Sequence, residues 1–235
     1  MSMREASCPP ALPAIQHGGD LSAARLAYPQ APEPWLDLST GVNPYSYPVG
    51  KLQPECYARL PCPGELRALE EAAANAYGVP GRAEVVAAPG TQAIINWLPR
   101  LFPARRAGIL GFTYCEHARS WAACGARVTT TKDFVELKGH DAAIVVNPNN
   151  PDGMRIAAQD LHALAASLSK HSSILIVDEA FIDLESMASA VPNMPSSGMI
   201  VLRSFGKTYG LPGLRLGFAI APASITARLR AALGP

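Results

Sequence analysis

A lysine lies in a glycine-rich stretch with the composition of a covalent cofactor site. The stretch Ser204-Phe-Gly-Lys207-Thr-Tyr-Gly-Leu-Pro-Gly-Leu-Arg215 places a hydroxyl before Lys207 and a guanidinium after it. An amine that attacks an aldehyde needs a loop that the reactant can approach, and glycine permits that approach. Serine and arginine suit a phosphate, as a hydroxyl donor and a bidentate cation. On this stretch alone, a surface lysine in a flexible loop remains an open alternative.

A carboxylate ends the apolar run Ile174-Leu-Ile-Val-Asp178. A side chain in that place is expected to be at least partly buried, so it needs a cationic or hydrogen-bonding partner. A protonated ring nitrogen would be such a partner. A helix N-cap or a structural ion pair explains the same residue. A Walker B acid is a weaker explanation, because the sequence has no G-x-x-x-x-G-K-[ST] loop.

Three further polar segments follow apolar runs. The first is Asn147-Pro-Asn-Asn150-Pro-Asp-Gly, in which an asparagine amide could donate to an anionic oxygen. The second is Gly90-Thr91-Gln, at a strand-to-helix junction where free backbone N–H groups favour a phosphate. The third contains Tyr114, which could stack on a ring. A tight turn, an ordinary helix start and a core tyrosine are the respective alternatives.

Short apolar runs alternate with helical periodicity along most of the chain. Strands are predicted over residues 84–88, 108–112, 127–130, 142–146, 174–177, 199–202 and 216–220. Helices are predicted over residues 64–77, 91–102, 115–124, 159–170 and 223–233. This alternation predicts an α/β fold with a doubly wound, mostly parallel sheet. Such sheets bind ligands at the carboxyl ends of their strands, where the polar segments fall.

The beginning of the chain has a different character. Residues 1 to about 34 are rich in proline and alanine without clear periodicity, which predicts an extended arm. The segment from Trp35 starts like a short strand and meets a turn signal at Gly41 to Pro44.

Composition narrows the classes of function. The formal net charge of +1 favours neither nucleic acid nor an anionic membrane as a partner. The five cysteines are odd in number and form no C-x-x-C pair, which argues against a disulfide framework or a structural metal site. The N-terminus has no basic-then-apolar signal pattern, and no apolar run approaches the roughly 18 residues that span a bilayer. A cytoplasmic protein is therefore expected. The low charged fraction of 17% favours extensive buried surface, a subunit interface included.

Together and in this order, the segments resemble the pyridoxal 5′-phosphate (PLP) enzymes of fold type I, the class I/II aminotransferase-like family. The resemblance covers roughly residues 15–235 and rests on the S-x-x-K…R spacing, the N-P-N-N-P-x-G run and the D-E-A segment. It implies PLP as the cofactor, a homodimer, and the seven-stranded sheet of the PLP transferase large domain. That domain is expected over residues 46–235, after an arm and substrate-side segment over residues 1–45.

The resemblance also implies a role for each motif residue. Lys207 would form the Schiff base with the cofactor and then act as general acid and base. Asp178 would pair with the pyridine N1–H, which keeps the ring an electron sink. The remaining cofactor contacts would be Asn150 at the ring O3′, Tyr114 on the ring face, and Gly90, Thr91, Ser204 and Arg215 at the phosphate.

Within the family, three features are similar to the cobalamin-biosynthetic threonine-phosphate decarboxylases. They are His17-Gly-Gly19 followed by Leu36-Asp-Leu-Ser-Thr-Gly-Val-Asn-Pro44, then Tyr114-x-Glu-His117-x-x-x-Trp121, and Asp178-Glu-Ala-Phe181. This similarity implies decarboxylation of L-threonine 3-phosphate, a phosphorylated amino acid, to aminopropanol phosphate. The residues then expected near the substrate are Ser39, Thr40, Gly41 and Asn43, and His17 is a weaker candidate. A histidinol-phosphate-type aminotransferase is the leading rival, and an inactive PLP-domain remnant is a third possibility.

The sequence departs from the family pattern in three places. Phe181 stands where many relatives have a tyrosine that donates to O3′, so Asn150 would make that contact alone. Leu60 stands where relatives often have a tyrosine that reaches the phosphate of the partner subunit. The chain stops at Pro235, whereas family members continue into a C-terminal small domain. PLP binding with weak or absent turnover is therefore expected of these 235 residues.

Overall fold

The structure, a computed structural model, describes residues 18–184 and 188–234. The chain divides after Gly41 into two compact units. The second unit contains a seven-stranded sheet with the strand order β1-β7-β6-β5-β4-β2-β3. Its strands are β1 (Glu84–Ala88), β2 (Arg106–Leu110), β3 (Arg127–Thr131), β4 (Ala142–Val146), β5 (Ile174–Asp178), β6 (Met199–Ser204) and β7 (Gly217–Ala221).

Helices connect most of the strands. They are α1 (Leu21–Ala27), α2 (Glu55–Ala58), α3 (Pro63–Ala76), α4 (Thr91–Leu101), α5 (Cys115–Ala123), α6 (Ala158–Ser169), α7 (Phe205–Thr208) and α8 (Ala223–Leu233). Short 3-10 turns cover Phe134–Gly139, Ile182–Leu184 and Pro212–Leu214.

The sheet is parallel except at β7. Strands β3, β2, β4, β5 and β6 pair in parallel, and β7 lies antiparallel between β6 and β1. Strand β1 therefore runs in the same direction as β6. The carboxyl ends of all strands except β7 meet at one edge of the sheet, which the start of β7 joins. Across that edge Gly217 is in register with both Ala88 and Ser204, and Asp178 with Val146.

The core forms two layers, one on each face of the sheet. Along β4, Val145 belongs to one layer, which includes Leu164 of α6, while Ile144 belongs to the other, which includes Ile94 of α4. Successive side chains of a strand point to opposite faces, and helices cover both. This explains why the central strands are apolar at every position rather than at alternate ones.

The structure confirms the predicted α/β fold with a doubly wound, mostly parallel, seven-stranded sheet. Each predicted strand is present, with ends shifted by no more than about two residues. The strand predicted over residues 108–112 ends at Leu110, because Gly111 turns the chain with φ +67°.

Three local predictions are wrong. The arm is not wholly extended, since α1 forms at Leu21–Ala27 with the Asp20 carboxylate accepting from Ala23 N. No strand forms over residues 35–38 of the described chain. The loop expected around Lys207 is a short helix, α7. His17 lies outside the described residues.

One further finding concerns membranes. No helix within residues 18–184 and 188–234 combines the length and the hydropathy that crossing a bilayer requires.

Candidate active site

Lys207 lies at the sheet edge, in the short helix that directly follows β6. It is half-buried, and its Nζ is 5.9 Å from the centre of the Phe181 ring. Burial lowers the pKa of the Lys207 amine; the Asp178 carboxylate opposes that shift, and the Arg215 guanidinium adds to it. A lowered pKa increases the fraction of neutral amine, which is the form that attacks an aldehyde.

Asp178 ends β5 and is 4% exposed. Its Oδ2 lies 2.9 Å from Nε2 of His117, which is 1% exposed, and its Oδ1 accepts from Ala180 N at 3.1 Å. The carboxylate is thus fixed through both oxygens before any ligand binds. The sequence motif contained His117 but assigned it no role. The available sequence signal for this role was that His117 lies on α5, three residues after Tyr114.

The residues predicted to hold a phosphate meet around the N-terminus of α4. A Cβ built on Gly90 would lie 2.9 Å from Arg215 Nη2, and one built on Gly217 would lie 2.5 Å from Thr91 N. Ser204 is in register with Gly217 on the neighbouring strand. Gly90 has φ +80°, and no side chain among the described residues caps the helix. Backbone N–H groups and a guanidinium therefore lie together at the start of α4, and Ser204 stands on the strand beside Gly217; groups of these kinds suit a phosphate.

Tyr114 lies beside this position and is held by Gln92 of α4. Its hydroxyl donates to Gln92 Oε1 at 3.0 Å, and Gln92 Nε2 donates to Glu116 Oε2 at 3.1 Å. Burial, followed by the negative charge of Glu116, raises the pKa of Tyr114 to about 12. Tyr114 is therefore neutral at ordinary pH, with its ring fixed by the bond to Gln92. Nothing in the motif that contains Gln92 indicated this role for it.

The asparagine-rich loop after β4 is held by two of its three asparagines. Asn147 exchanges two hydrogen bonds with the backbone of Ile156, and Asn149 Nδ2 donates to Phe112 O at 3.0 Å. Both are buried, whereas Asn150 is exposed. The loop is thereby tied to the segment that leads to Tyr114. The predicted contact of Asn150 with the ring O3′ stays a prediction.

The predicted substrate residues fall in both units. In the first unit, Ser39 Oγ accepts from Gly19 N at 2.7 Å and donates to Asp37. Any side chain at Gly18 would collide with Ser39 O. The glycine pair Gly18-Gly19 therefore packs against the segment that contains Ser39. Thr40 and Gly41 also belong to this unit. Asn43 belongs to the second unit, where its Nδ2 donates to Thr208 O at 2.8 Å.

The described residues of the second unit fit PLP, which presents an aldehyde, a basic ring nitrogen and a phosphate. Lys207 offers an amine to the aldehyde, and Asp178 offers a buried carboxylate to the protonated nitrogen. The backbone N–H of Thr91, beside Gly217, and the guanidinium of Arg215, beside Gly90, offer donors to the phosphate. Among the described residues no group of three or more His, Cys, Asp or Glu could hold a metal ion.

Comparisons with known proteins agree with this assignment. A family model for aminotransferases of class I and II matches residues 52–235. Threonine-phosphate decarboxylases from Sinorhizobium sp and Pseudomonas aeruginosa are 42% and 39% identical, each over 94% of this chain and over 67% and 66% of their own lengths. A histidinol-phosphate aminotransferase from Geotalea daltonii is 30% identical over 86% of this chain and 61% of its own length.

A solved structure supports the fold. The L-threonine-O-3-phosphate decarboxylase from Porphyromonas gingivalis superposes with a TM-score of 0.62 at 21% identity, covering 72% of this chain and 56% of that chain. The chain spans about two thirds of the length of the curated relatives it matches.

Proposed function

Since the chain belongs to the class I and II aminotransferase family, we propose that it binds PLP through Lys207 and decarboxylates L-threonine 3-phosphate. The product is aminopropanol phosphate, which retains the substrate's phosphate and amine. The observation that carries the cofactor assignment is that half-buried Lys207 lies near enough to Asp178 and Arg215 for both of their charges to act on its amine. The substrate is proposed from similarity, because the decarboxylases are 42% and 39% identical and the aminotransferase is 30% identical.

The reaction exchanges a carboxylate for a proton at Cα, with release of carbon dioxide. When bound, PLP supplies a conjugated ring that accepts the electron pair left by the broken bond. Asp178 would hold a proton on the ring nitrogen by its negative charge, and His117 keeps that carboxylate in place. Arg215 and the N-terminus of α4 would bind the cofactor phosphate. Lys207, with its lowered pKa, is the group suited to hold the proton and deliver it to Cα.

The residues around the substrate decide which Cα bond breaks. A decarboxylase places the carboxylate perpendicular to the ring, whereas an aminotransferase places the Cα hydrogen there. We propose that Ser39, Thr40 and Gly41 contribute to that choice on the substrate side. Phe181 cannot donate a hydrogen bond, so the proposed contact to the ring O3′ falls to Asn150.

The test assays decarboxylation and transamination with one preparation of the protein. The chain is incubated with PLP and L-threonine 3-phosphate labelled at the carboxyl carbon, and labelled carbon dioxide and aminopropanol phosphate are quantified. Parallel reactions contain histidinol phosphate and 2-oxoglutarate. Lys207→Ala removes the proposed amine, and Lys170→Ala is the matched control at an exposed lysine.

The account predicts release of carbon dioxide that depends on Lys207 and not on Lys170. Formation of glutamate from 2-oxoglutarate would show that the chain is an aminotransferase and not the proposed decarboxylase. PLP bound at Lys207 with neither product would support the inactive PLP domain. No PLP bound at all would overturn the proposal.

We also propose that the chain forms a homodimer in the cytoplasm. Large apolar side chains are exposed in the segment after the first unit, with Tyr45 at 85%, Tyr57 at 78% and Leu60 at 94%. Large apolar side chains exposed in one stretch of the chain favour an interface there. Sedimentation velocity of the wild-type chain and of Leu60→Ser tests this, since the variant is expected to shift toward the monomer.

A further inference from the structure

The segment Asn43–Tyr47, termed here the strap, lies along α7, the short helix that contains Lys207. Asn43 N donates to Lys207 O at 3.0 Å, and its Nδ2 donates to Thr208 O at 2.8 Å. Farther along, Ser46 Oγ donates to Gly210 O at 2.7 Å and Tyr47 N donates to Tyr209 O at 2.8 Å. Four hydrogen bonds thus join the strap to four consecutive carbonyls, those of residues 207–210.

The strap packs tightly against the backbone of residues 207–210. Gly210 has φ +61°, and a Cβ built on it would lie 2.6 Å from Asn43 O and 2.9 Å from the Cα of Ser46. Two aromatic contacts add to this packing, since Tyr47 lies edge-on to Tyr209 and Tyr209 stacks on Phe205. The backbone from Lys207 to Gly210 is therefore held closely against the strap.

The carbonyls that the strap binds lie at the end of a helix of four residues, α7. The last carbonyls of any helix lack partners within the helix. A helix this short has little stability of its own. External donors are therefore needed to hold α7 in its observed orientation, and the strap provides them.

We propose that Asn43 and Ser46 are positioning residues, which fix the orientation of the Lys207 amine through the backbone of α7. The side chain of Asn43 is used inside the protein, because its Nδ2 donates to Thr208 O and its Oδ1 accepts from Tyr45 N at 2.9 Å. This assignment differs from the substrate contact that the sequence predicts for Asn43. It rests on the proposed function only in that Lys207 is the cofactor lysine.

The experiment measures the Lys207 amine directly, in the chain without cofactor. Trace acetylation across a range of pH, read by peptide mass spectrometry, gives the titration midpoint of Lys207 with exposed Lys170 as the internal reference. The variants are Asn43→Leu, which keeps the size and removes the hydrogen bonds of the side chain, and Ser46→Ala. The charged groups that face the amine, Asp178 and Arg215, are unchanged in both. Asn193→Leu, at an exposed turn, is the matched control.

In the wild type the midpoint of Lys207 is expected below that of Lys170. Losing a strap bond is expected to move it toward Lys170 by about half a pH unit, with Asn193→Leu unchanged. Unchanged midpoints in both strap variants, with only the melting temperature lowered, would overturn the proposal. If Asn43→Leu fails to fold, Ser46→Ala decides. This titration is done without cofactor, so its result does not depend on PLP binding. A failure of the proposed function would instead be seen in a separate PLP-binding experiment, in which the wild type would bind no PLP.

Discussion

His117 Nε2 and Asp178 Oδ2 lie 2.9 Å apart, and both side chains are buried beside the proposed cofactor position. In His117→Phe the ring volume is kept while one oxygen of the carboxylate loses its partner. The dissociation constant for PLP is expected to rise about tenfold, the effect of one hydrogen bond to a charged group. Titration by absorbance measures this, with His171→Phe as the same exchange at an exposed histidine. Equal affinity in both variants would show that the pair does not support the site.

Arg215 is expected to act through the cofactor phosphate. Its guanidinium lies against Gly90 at the N-terminus of α4. Arg215→Ala should weaken PLP binding on the order of tenfold to a hundredfold, the effect of a charge-assisted contact. Binding of pyridoxal, which lacks the phosphate, should be nearly unchanged. A variant that weakens PLP and pyridoxal equally would place Arg215 elsewhere, and Arg127→Ala serves as the exposed control.

Gly90 needs its lack of a side chain for two reasons. Its φ of +80° is unfavourable for other residues, and a Cβ would lie 2.9 Å from Arg215 Nη2. Gly90→Ala is expected to lower the free energy of unfolding by about 1–2 kcal/mol and to displace Arg215. Gly81→Ala, where a Cβ meets nothing within 4 Å, should show neither effect. Chemical denaturation and PLP titration of both variants check this. Equal stability and equal PLP affinity in the two variants would contradict the close packing of Gly90 against Arg215.

The stability of the chain without cofactor should depend on Lys207 and on pH. Burial lowers the pKa of this amine, against the pull of Asp178. Below the pKa of the folded chain the amine is charged in both states, and burying that charge destabilises the fold by the full amount. Between that pKa and the ordinary value the amine takes up a proton on unfolding, so the penalty falls as the pH rises. The penalty disappears as the pH rises toward the ordinary value of 10.5.

Lys207→Met is therefore expected to be more stable than the wild type at pH 7, with the difference shrinking toward pH 10.5. Urea denaturation of both chains across this range measures the difference, in which other titrating groups cancel. A wild type more stable than Lys207→Met at pH 7 would mean that attraction to Asp178 outweighs burial.

The strands were predictable because their apolar runs are short, dense and bounded by turn residues. Strand β4 at Ala142–Val146 and helix α8 at Ala223–Leu233 occupy the predicted residues. Helix α1 was missed because it has 7 residues and none of them is buried, so no apolar periodicity marks it. The reversed direction of β7 has no local signature, since it depends on the partners that β7 pairs with.

The contacts between site residues were less accessible to sequence than the residues themselves. Lys207, Asp178 and Arg215 were selected from their motifs, and the fold brings them together. The partner of Asp178 is 61 residues away in the chain, and Asn43 binds a carbonyl 165 residues away. Spacing along the chain cannot specify such pairs, because the tertiary fold alone determines them.

The central claim is that Lys207 binds PLP covalently, and one measurement tests it most directly. The wild-type chain and Lys207→Ala are mixed with PLP, their absorbance spectra are recorded, and both are then reduced with borohydride and mapped by peptide mass spectrometry. The account predicts an absorbance band near the visible edge in the wild type, lost on reduction, with the cofactor mass on the peptide containing Lys207. Lys207→Ala should show neither. A folded wild type without the band, or with the cofactor mass on another lysine, would contradict the account.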